Sequence, residues 1–581
     1  MLPVNCLPRE LLIKIFALIP NLPSVLWPCS VEPFDWRTDL MLVCREWRDL
    51  VAGTPKFWSL LYVQPSTPIE HLSCWISHCA DAPLDVYLGG RFGPRNPWEV
   101  PLMPLVVAQS HRIRKIVIPN TSGPVVEILF QRTSWSLLTH MHLDVPGGVD
   151  GPRISGTEFI FDLPQCFPKL SHLSLAGSLP FVNPQLLRTI KSLKVAPATL
   201  YRSPWTSTLG KFFASHVQEP FLRLTSLTIR APSDHLEKAV NGIMDAPLFG
   251  GGLKLPCLTY LKIFSSCPLK LAPLIRQVLS SKRIKVYVVV PRWQDLFPPI
   301  QPQARPRSLL DALLGDESVM GPPPLSLSPL HSTKVCLEQT GVAFYGRRCP
   351  STNEPTFTLR VSAHDQLEPH YSLTDALHDA PRLFCGTAPD HLYVFSTHTK
   401  QAATVASWRA LFRGLRGLKE LRVHAHIDVS PLFDALRPGA PPVGAATGGA
   451  GALGDGAEDS EERLGANLGK VTVGDAKDVV LSIQGGEVLH PLVSKELLAA
   501  VVDCFGARRR EGMSQLAQLK MHLAWPVERS DEPGAGKGLE EGRRGEAGAR
   551  EDENMLALVD QCAARLEKGL VRDFSHYSVL H

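Results

Sequence analysis

The feature that most restricts this chain is a short aliphatic spacing, L-x-x-L-x-L with aliphatic substitutes, that recurs through much of its 581 residues. It stands at Ile113-Ile116-Ile118, Leu138-Met141-Leu143, Leu170-Leu173-Leu175 and Ile190-Leu193-Val195. It continues at Leu224-Leu227-Ile229 and Leu258-Leu261-Ile263, and again at Leu418-Leu421-Val423 and Leu516-Leu519-Met521. From Ile116 to Leu261 the central residues step by 25, 32, 20, 34 and 34. Such steps suit one strand plus a return segment, with each unit adding a rung to a shared core. Helical patterns lie between strands at Pro184 to Leu193, His235 to Met244 and Leu271 to Leu279. A plain α/β arrangement of unrelated strands separated by helices satisfies the same alternation.

The N-terminus follows another period. In Leu7-Pro8-Arg9-Glu10-Leu11-Leu12, Pro8 suits a first helical turn, because its missing N–H would be unpaired there. Glu10 in that turn complements the helix dipole. Leu11, Leu12, Ile15, Phe16 and Ile19 then predict one broad apolar stripe. A second helix is expected through Leu40, Val43, Cys44, Trp47, Leu50 and Val51, with Arg45, Glu46, Arg48 and Asp49 on its other side and Gly53 ending it. Two such helices leave apolar surface that so short a stretch cannot bury, so a third helix or a partner has to cover it.

The pattern L-P-x-E-L-[LI]-x-x-I-F, then L-x-L-V-C-[RK]-x-W-R-x-L and Phe57-Trp58, resembles the F-box. The ending Pro55-Lys56-Phe57-Trp58-Ser59-Leu60-Leu61-Tyr62-Val63 is similar to the F-box-like proteins of mushroom-type fungi. In that family the F-box docks on the Skp adaptor of a Skp–cullin–F-box ubiquitin ligase. Carried over, the resemblance makes Leu7, Pro8, Leu11, Ile15, Leu42 and Trp47 the adaptor contacts or the packing that presents them. One departure is the segment Asn21 to Arg37, with Pro23, Pro28 and Pro33, which is longer than the usual link between the helices.

The rest of the chain resembles a degenerate leucine-rich repeat. The regular asparagine after the last aliphatic is missing, with Pro119, Pro146 and Ser178 found instead. In such a repeat the residue between the last two aliphatics points to the exposed concave face. That nominates Val117, His142, Ser174, Lys194, Thr228, Lys262 and Arg422 as target contacts, each weighed against an ordinary solvent-exposed strand residue.

Three segments carry too little apolar area to offset the entropy of ordering. They are Pro298 to Pro329 with Pro322-Pro323-Pro324, then Pro438 to Gly456 running into Glu458-Asp459-Ser460-Glu461-Glu462, and Glu528 to Glu553. Between them Lys334 to Leu337, Thr356 to Val361 and His391 to Phe395 read as strands. Trp408 to Leu415 and Leu497 to Arg510 read as helices, the latter ending in a solvated cluster, Arg508-Arg509-Arg510. The expected organisation is an F-box over residues 1–62, a first repeat-like half over 63–296, a Pro-rich flexible linker over 297–330, and a second half over 331–581 with insertions at 437–467 and 528–553.

A net charge of +4, from 60 basic and 56 acidic residues, is too balanced to argue for nucleic acid or an anionic membrane. Thirteen scattered cysteines suit reduced thiols. Arg9 and Glu10 interrupt the N-terminal apolar run, so no secretory leader is expected, and Val286 to Val290 is strand-length, far short of a bilayer. His71, Cys74 and His78 would share a helix face with ligand chemistry that zinc accepts, beside Cys79, yet Trp75 and Ile76 occupy the same segment. Gly534-Ala535-Gly536-Lys537 lacks the first glycine (Asp531) and the Ser/Thr (Gly538) of a phosphate loop.

The sequence therefore points to an α+β or α/β repeat protein: an N-terminal helical F-box followed by a leucine-rich-repeat-like solenoid with disordered insertions. The expected role is a substrate-recruiting adaptor and not an enzyme, with no cofactor, no metal and no catalytic residue. Its expected partners are the Skp adaptor, through it a cullin, and a protein target, in the cytoplasm, the nucleus or both. A repeat-type scaffold outside ubiquitin transfer is the alternative.

Overall fold

A computed structural model describes residues 7–19, 36–64, 66–89, 99–119, 129–130, 134–145, 164–177, 184–197, 221–230, 255–266, 268–279, 283–297, 308–315, 329–351, 354–367, 370–384, 389–397, 403–425, 429–438, 470–473, 495–511, 516–524 and 571–579, with a few single positions between. The chain is mixed α/β with mostly parallel strands, and it divides into two compact units, Met1–Leu258 and Thr259–His581. Among the described residues no helix is long and apolar enough to cross a membrane.

In the first unit four helices, α1 (Arg9–Phe16), α2 (Trp36–Val43), α3 (Arg45–Ala52) and α4 (Pro55–Trp58), lead into seven strands. These are β1 (Leu60–Val63), β2 (Leu84–Leu88), β3 (Ile113–Ile118), β4 (His140–Val145), β5 (His172–Gly177), β6 (Ser192–Pro197) and β7 (Ser226–Arg230). Each pairs in parallel with the next in chain order. The last two aliphatics of the five recurrences between residues 113 and 229 fall on these strands and are buried: Ile116 and Ile118, Met141 and Leu143, Leu173 and Leu175, Leu193 and Val195, Leu227 and Ile229. The first aliphatic lies just before its strand, as with Leu138, Leu170 and Leu224, and is also buried. Each unit thus places three apolar side chains in one core while the intervening strand residues face away. The expected helix Pro184–Leu193 is a single turn, Pro184–Leu187, because Ile190 onward is drawn into the approach to β6. The expected helix His235–Met244 lies outside the described residues.

The second unit holds β8 (Tyr260–Phe264), β9 (Ile284–Val289), β10 (Ser332–Glu338), β11 (Gly341–Arg347), β12 (Phe357–Ser362), β13 (His391–Ser396), β14 (Glu420–Ala425), β15 (Lys470–Val473), β16 (Leu516–Ala524) and β17 (Val571–Val579). Its order departs from the chain order at one place. β12 pairs in parallel with β9, β11 is antiparallel to both β12 and β10, and β10 pairs in parallel with β13. The spatial order is therefore β8-β9-β12-β11-β10-β13-β14-β15-β16-β17. This inserted meander gives no L-x-x-L-x-L signal. The helices Leu373–Phe384 and Val405–Gly414 pack together, and a Cβ at Gly414 would come within 2.3 Å of the Pro381 side chain, so glycine permits the approach.

Two expectations need correction here. Within the proline-rich tract, residues Leu309–Leu314 form a helix whose four leucines are buried, so the tract is not flexible throughout. Ser308 caps it by accepting from Asp311 N at 3.1 Å, and its hydroxyl donates to Asp379, a buried carboxylate that also accepts from Leu309 N and the Tyr371 hydroxyl. Local composition misses this because Asp379 lies about 70 residues downstream. Likewise Arg508 is buried rather than solvated, while Arg509 and Arg510 are exposed.

Candidate functional site

The N-terminal helices divide their apolar residues between a buried core and exposed positions. Pro8 starts α1 with φ −54° and ψ 144°, and its carbonyl accepts from Leu11 N and Leu12 N. The expected broad stripe divides in two. Leu12 and Phe16 are buried, whereas Leu11 (42 % exposed), Ile15 (45 %) and Leu18 (64 %) face outward. The expected single helix from Leu40 to Val51 is also two helices. Cys44 breaks it with extended backbone, φ −160°, and its sulfur accepts from Trp47 N at 3.5 Å as the cap of α3. The break separates the two faces: α3 buries Leu50 and Val51, while α2 leaves Leu42 (71 %) and Val43 (58 %) open.

Beneath lies an aromatic core. Phe16 meets Trp47 edge-on at 4.6 Å and Phe57 at 6.2 Å, and Trp36 meets Phe57 at 5.7 Å. Trp36 and Arg37, at the end of the long inter-helix segment, are the residues sequence reasoning missed. Buried Arg37 donates through Nε to the Phe57 carbonyl at 2.8 Å and through its terminal nitrogen to the Leu60 carbonyl. Its guanidinium also lies over the Trp36, Trp58 and Trp75 rings at 5.5, 5.4 and 6.0 Å. Trp58 Nε1 donates to Val51 O at 2.8 Å. The helices are thereby tied to the start of β1, and only the tryptophan-arginine pair in the sequence could have signalled it.

Among the nominated contacts, Pro8, Leu11, Ile15 and Leu42 are exposed, and Leu7 and Trp47 are half-buried. Leu18, in the turn after α1, and Val43, at the end of α2, are exposed as well. Residues 20–35, which hold most of the long segment, lie outside the described residues.

The second set of nominees also converges. Strand register aligns Val117 with His142, His142 with Ser174, Ser174 with Lys194 and Lys194 with Thr228, making one row across β3 to β7. His142 Nδ1 and Ser174 Oγ are hydrogen-bonded at 2.7 Å, and burial, then Lys194, holds the imidazole below its usual range. In the row beside it His140 stacks on His172 at 4.0 Å. Lys262 and Arg422 lie in the second unit, on neighbouring rows of one face.

The residues weighed for zinc are engaged otherwise. His78 stacks on Trp58 at 4.6 Å, and the buried Cys79 thiol donates to Trp58 O at 2.9 Å. Burial pushes that thiol up to about 11. Among the described residues no three His, Cys, Asp or Glu side chains gather as a metal site.

Models of known protein families give no match to this chain, and curated proteins give none at a significant level.

Proposed function

We propose that the chain is a substrate-recruiting adaptor subunit of a Skp–cullin–F-box ubiquitin ligase, with α1 to α3 docking the Skp adaptor and the strand-rich region, as a leucine-rich-repeat-like solenoid, holding a protein target. The observation that carries this reading is the exposure of the aliphatics Leu11, Ile15, Leu18, Leu42 and Val43 beside a closed aromatic core. Five large aliphatics exposed on or just after two short helices are costly in water unless a partner covers them. The motif residues that prompted the resemblance fall on both sides of that division: Leu12, Phe16 and Leu50 hold the core, and Leu11, Ile15 and Leu42 stand open. Sequential parallel strands with buried repeat aliphatics support the solenoid part.

In this role the chain performs no bond chemistry. It raises the effective concentration of target lysines near a ubiquitin-charged enzyme. It acts with cullin through the adaptor, in the cytoplasm, the nucleus or both.

The test is co-purification of the tagged chain with the Skp adaptor. Wild type is expected to retain the adaptor, and Leu11→Asp/Leu42→Asp is expected to lose it with an unchanged melting curve, because both positions are exposed. A folded wild type that captures no adaptor would sink the ligase reading and leave a scaffold.

A further inference from the structure

The outward face of the second unit carries an alternation that the repeat pattern does not require. Register places Tyr260 beside Lys285, then Thr358, Tyr345, Lys334, Tyr393 and Arg422, one from each successive strand. Aromatic and cationic side chains thus alternate along one line, broken only by Thr358. All but Thr358 are half-exposed, while the residues before and after each on its strand turn into the core or pack beneath. Tyr345 rests on a small apolar cluster of Cys336, Ala343 and Phe395, which holds the centre of the line in place.

The charges on this face are unequal. Glu338 is matched by Arg360 at 2.7 Å, and Glu420 by Arg422, Lys470 and His391 at 2.8–2.9 Å. Lys262, Lys285 and Lys334 have no acidic partner among the described residues. We infer that this line binds an extended acidic segment of a target protein, lying across the strands with carboxylates at Lys285, at Lys334 and at Arg422, where Arg422 and Lys470 share the single carboxylate of Glu420, and with apolar side chains between them against the tyrosine edges. The inference rests on the recruiting role proposed above and assigns its target class.

Geometry sets the spacing. Lys285 and Lys334 are three strands apart, about 14 Å, and Lys334 and Arg422 two, about 10 Å, at about 4.8 Å per strand. An extended chain rises about 3.3 Å per residue, so acidic residues belong about four and then about three positions apart. The Tyr345 phenol, protonated near neutral pH at its ordinary value and pushed up further, to about 12, by burial, is a donor available to a carboxylate.

Single-stranded nucleic acid, the other polyanion, needs open ring faces for its bases. Of the tyrosines in the line, Tyr393 has Arg422 over its ring at 5.1 Å and Tyr260 packs on Tyr287 at 5.3 Å, which leaves their edges, suited to aliphatic side chains, more open than a face for base stacking.

The experiment is fluorescence anisotropy on the full chain with a labelled peptide carrying three glutamates at that spacing and Tyr and Leu between them. Matched probes carry lysine for glutamate, or are oligothymidylate. The glutamate peptide is expected to bind, more weakly as salt rises, and Lys285→Glu/Lys334→Glu is expected to weaken it at least about tenfold. Both positions are half-exposed, so the melting curve and adaptor capture are expected to stay as in wild type. No binding by wild type, equal binding by the folded variant, or tighter binding of oligothymidylate would each overturn the inference. Because adaptor capture uses residues of the first unit, loss of one activity with retention of the other separates failure of this inference from failure of the docking role.

Discussion

Replacing Arg37 by methionine tests whether one buried cation ties the N-terminal helices to the first strand. Methionine keeps most of the side chain's volume and flexibility, so little cavity forms. It removes both donors, leaving the Phe57 and Leu60 carbonyls without this partner in a buried site. A buried acceptor deprived of its donor costs about 1–3 kcal/mol, and the contact with three indole rings adds about 0.5–1 kcal/mol. Relief of the cost of burying the guanidinium offsets part of this, so a net loss of about 3 kcal/mol is expected. Arg37→Lys should lose about half as much, since one ammonium lacks the fork that reaches two separate carbonyls. Urea unfolding followed by tryptophan fluorescence is a direct assay, because Trp36, Trp58 and Trp75 surround the site. A loss within about 0.5 kcal/mol for Arg37→Met, the scatter of ordinary surface changes, would refute the assignment.

Adjacent residues on β7 should differ sharply. Leu227→Ala is expected to cost about 2–5 kcal/mol as a core truncation, and Thr228→Ala less than about 0.5 kcal/mol; similar losses in urea midpoints would mean the strand faces are assigned wrongly. Asp379 gives a pH signature. Burial raises its carboxyl to about 6 despite donors from Ser308, Tyr371 and Leu309, so the folded state holds this proton more tightly than the unfolded chain. Its contribution is then fully present below about pH 4 and lost as pH rises through about 6. The stability of wild type relative to Asp379→Asn should fall between pH 4 and pH 7, and a flat or rising difference would contradict the assignment.

The strands that carry the repeat spacing were legible because a strand needs only local information: two aliphatics two apart, after a third three residues earlier. The same regularity is why Val117, His142, Ser174, Lys194 and Thr228 could be named before their register was known, and why the sheet then brought them into one row. The helix break at Cys44 was not legible, since its apolar neighbours keep helical spacing straight through it. Whether an apolar residue is core or open surface depends on what packs against it. Leu11 and Leu12 are adjacent, chemically identical and on one predicted stripe, yet one is exposed and the other buried.

By itself, then, the sequence determined where the strands that carry the repeat spacing form and which of their positions are apolar, and that the N-terminus is helical, since those follow from spacing over a few residues. Only the tertiary structure decided the rest. It set the reversed order β12-β11-β10, the burial of Arg37 and Asp379, the ordering of Leu309–Leu314, and the line of tyrosines and cations. Each depends on groups far apart in the chain, whose pairing is fixed by hydrogen-bond register and by the need to satisfy buried polar atoms, and neither leaves a local pattern.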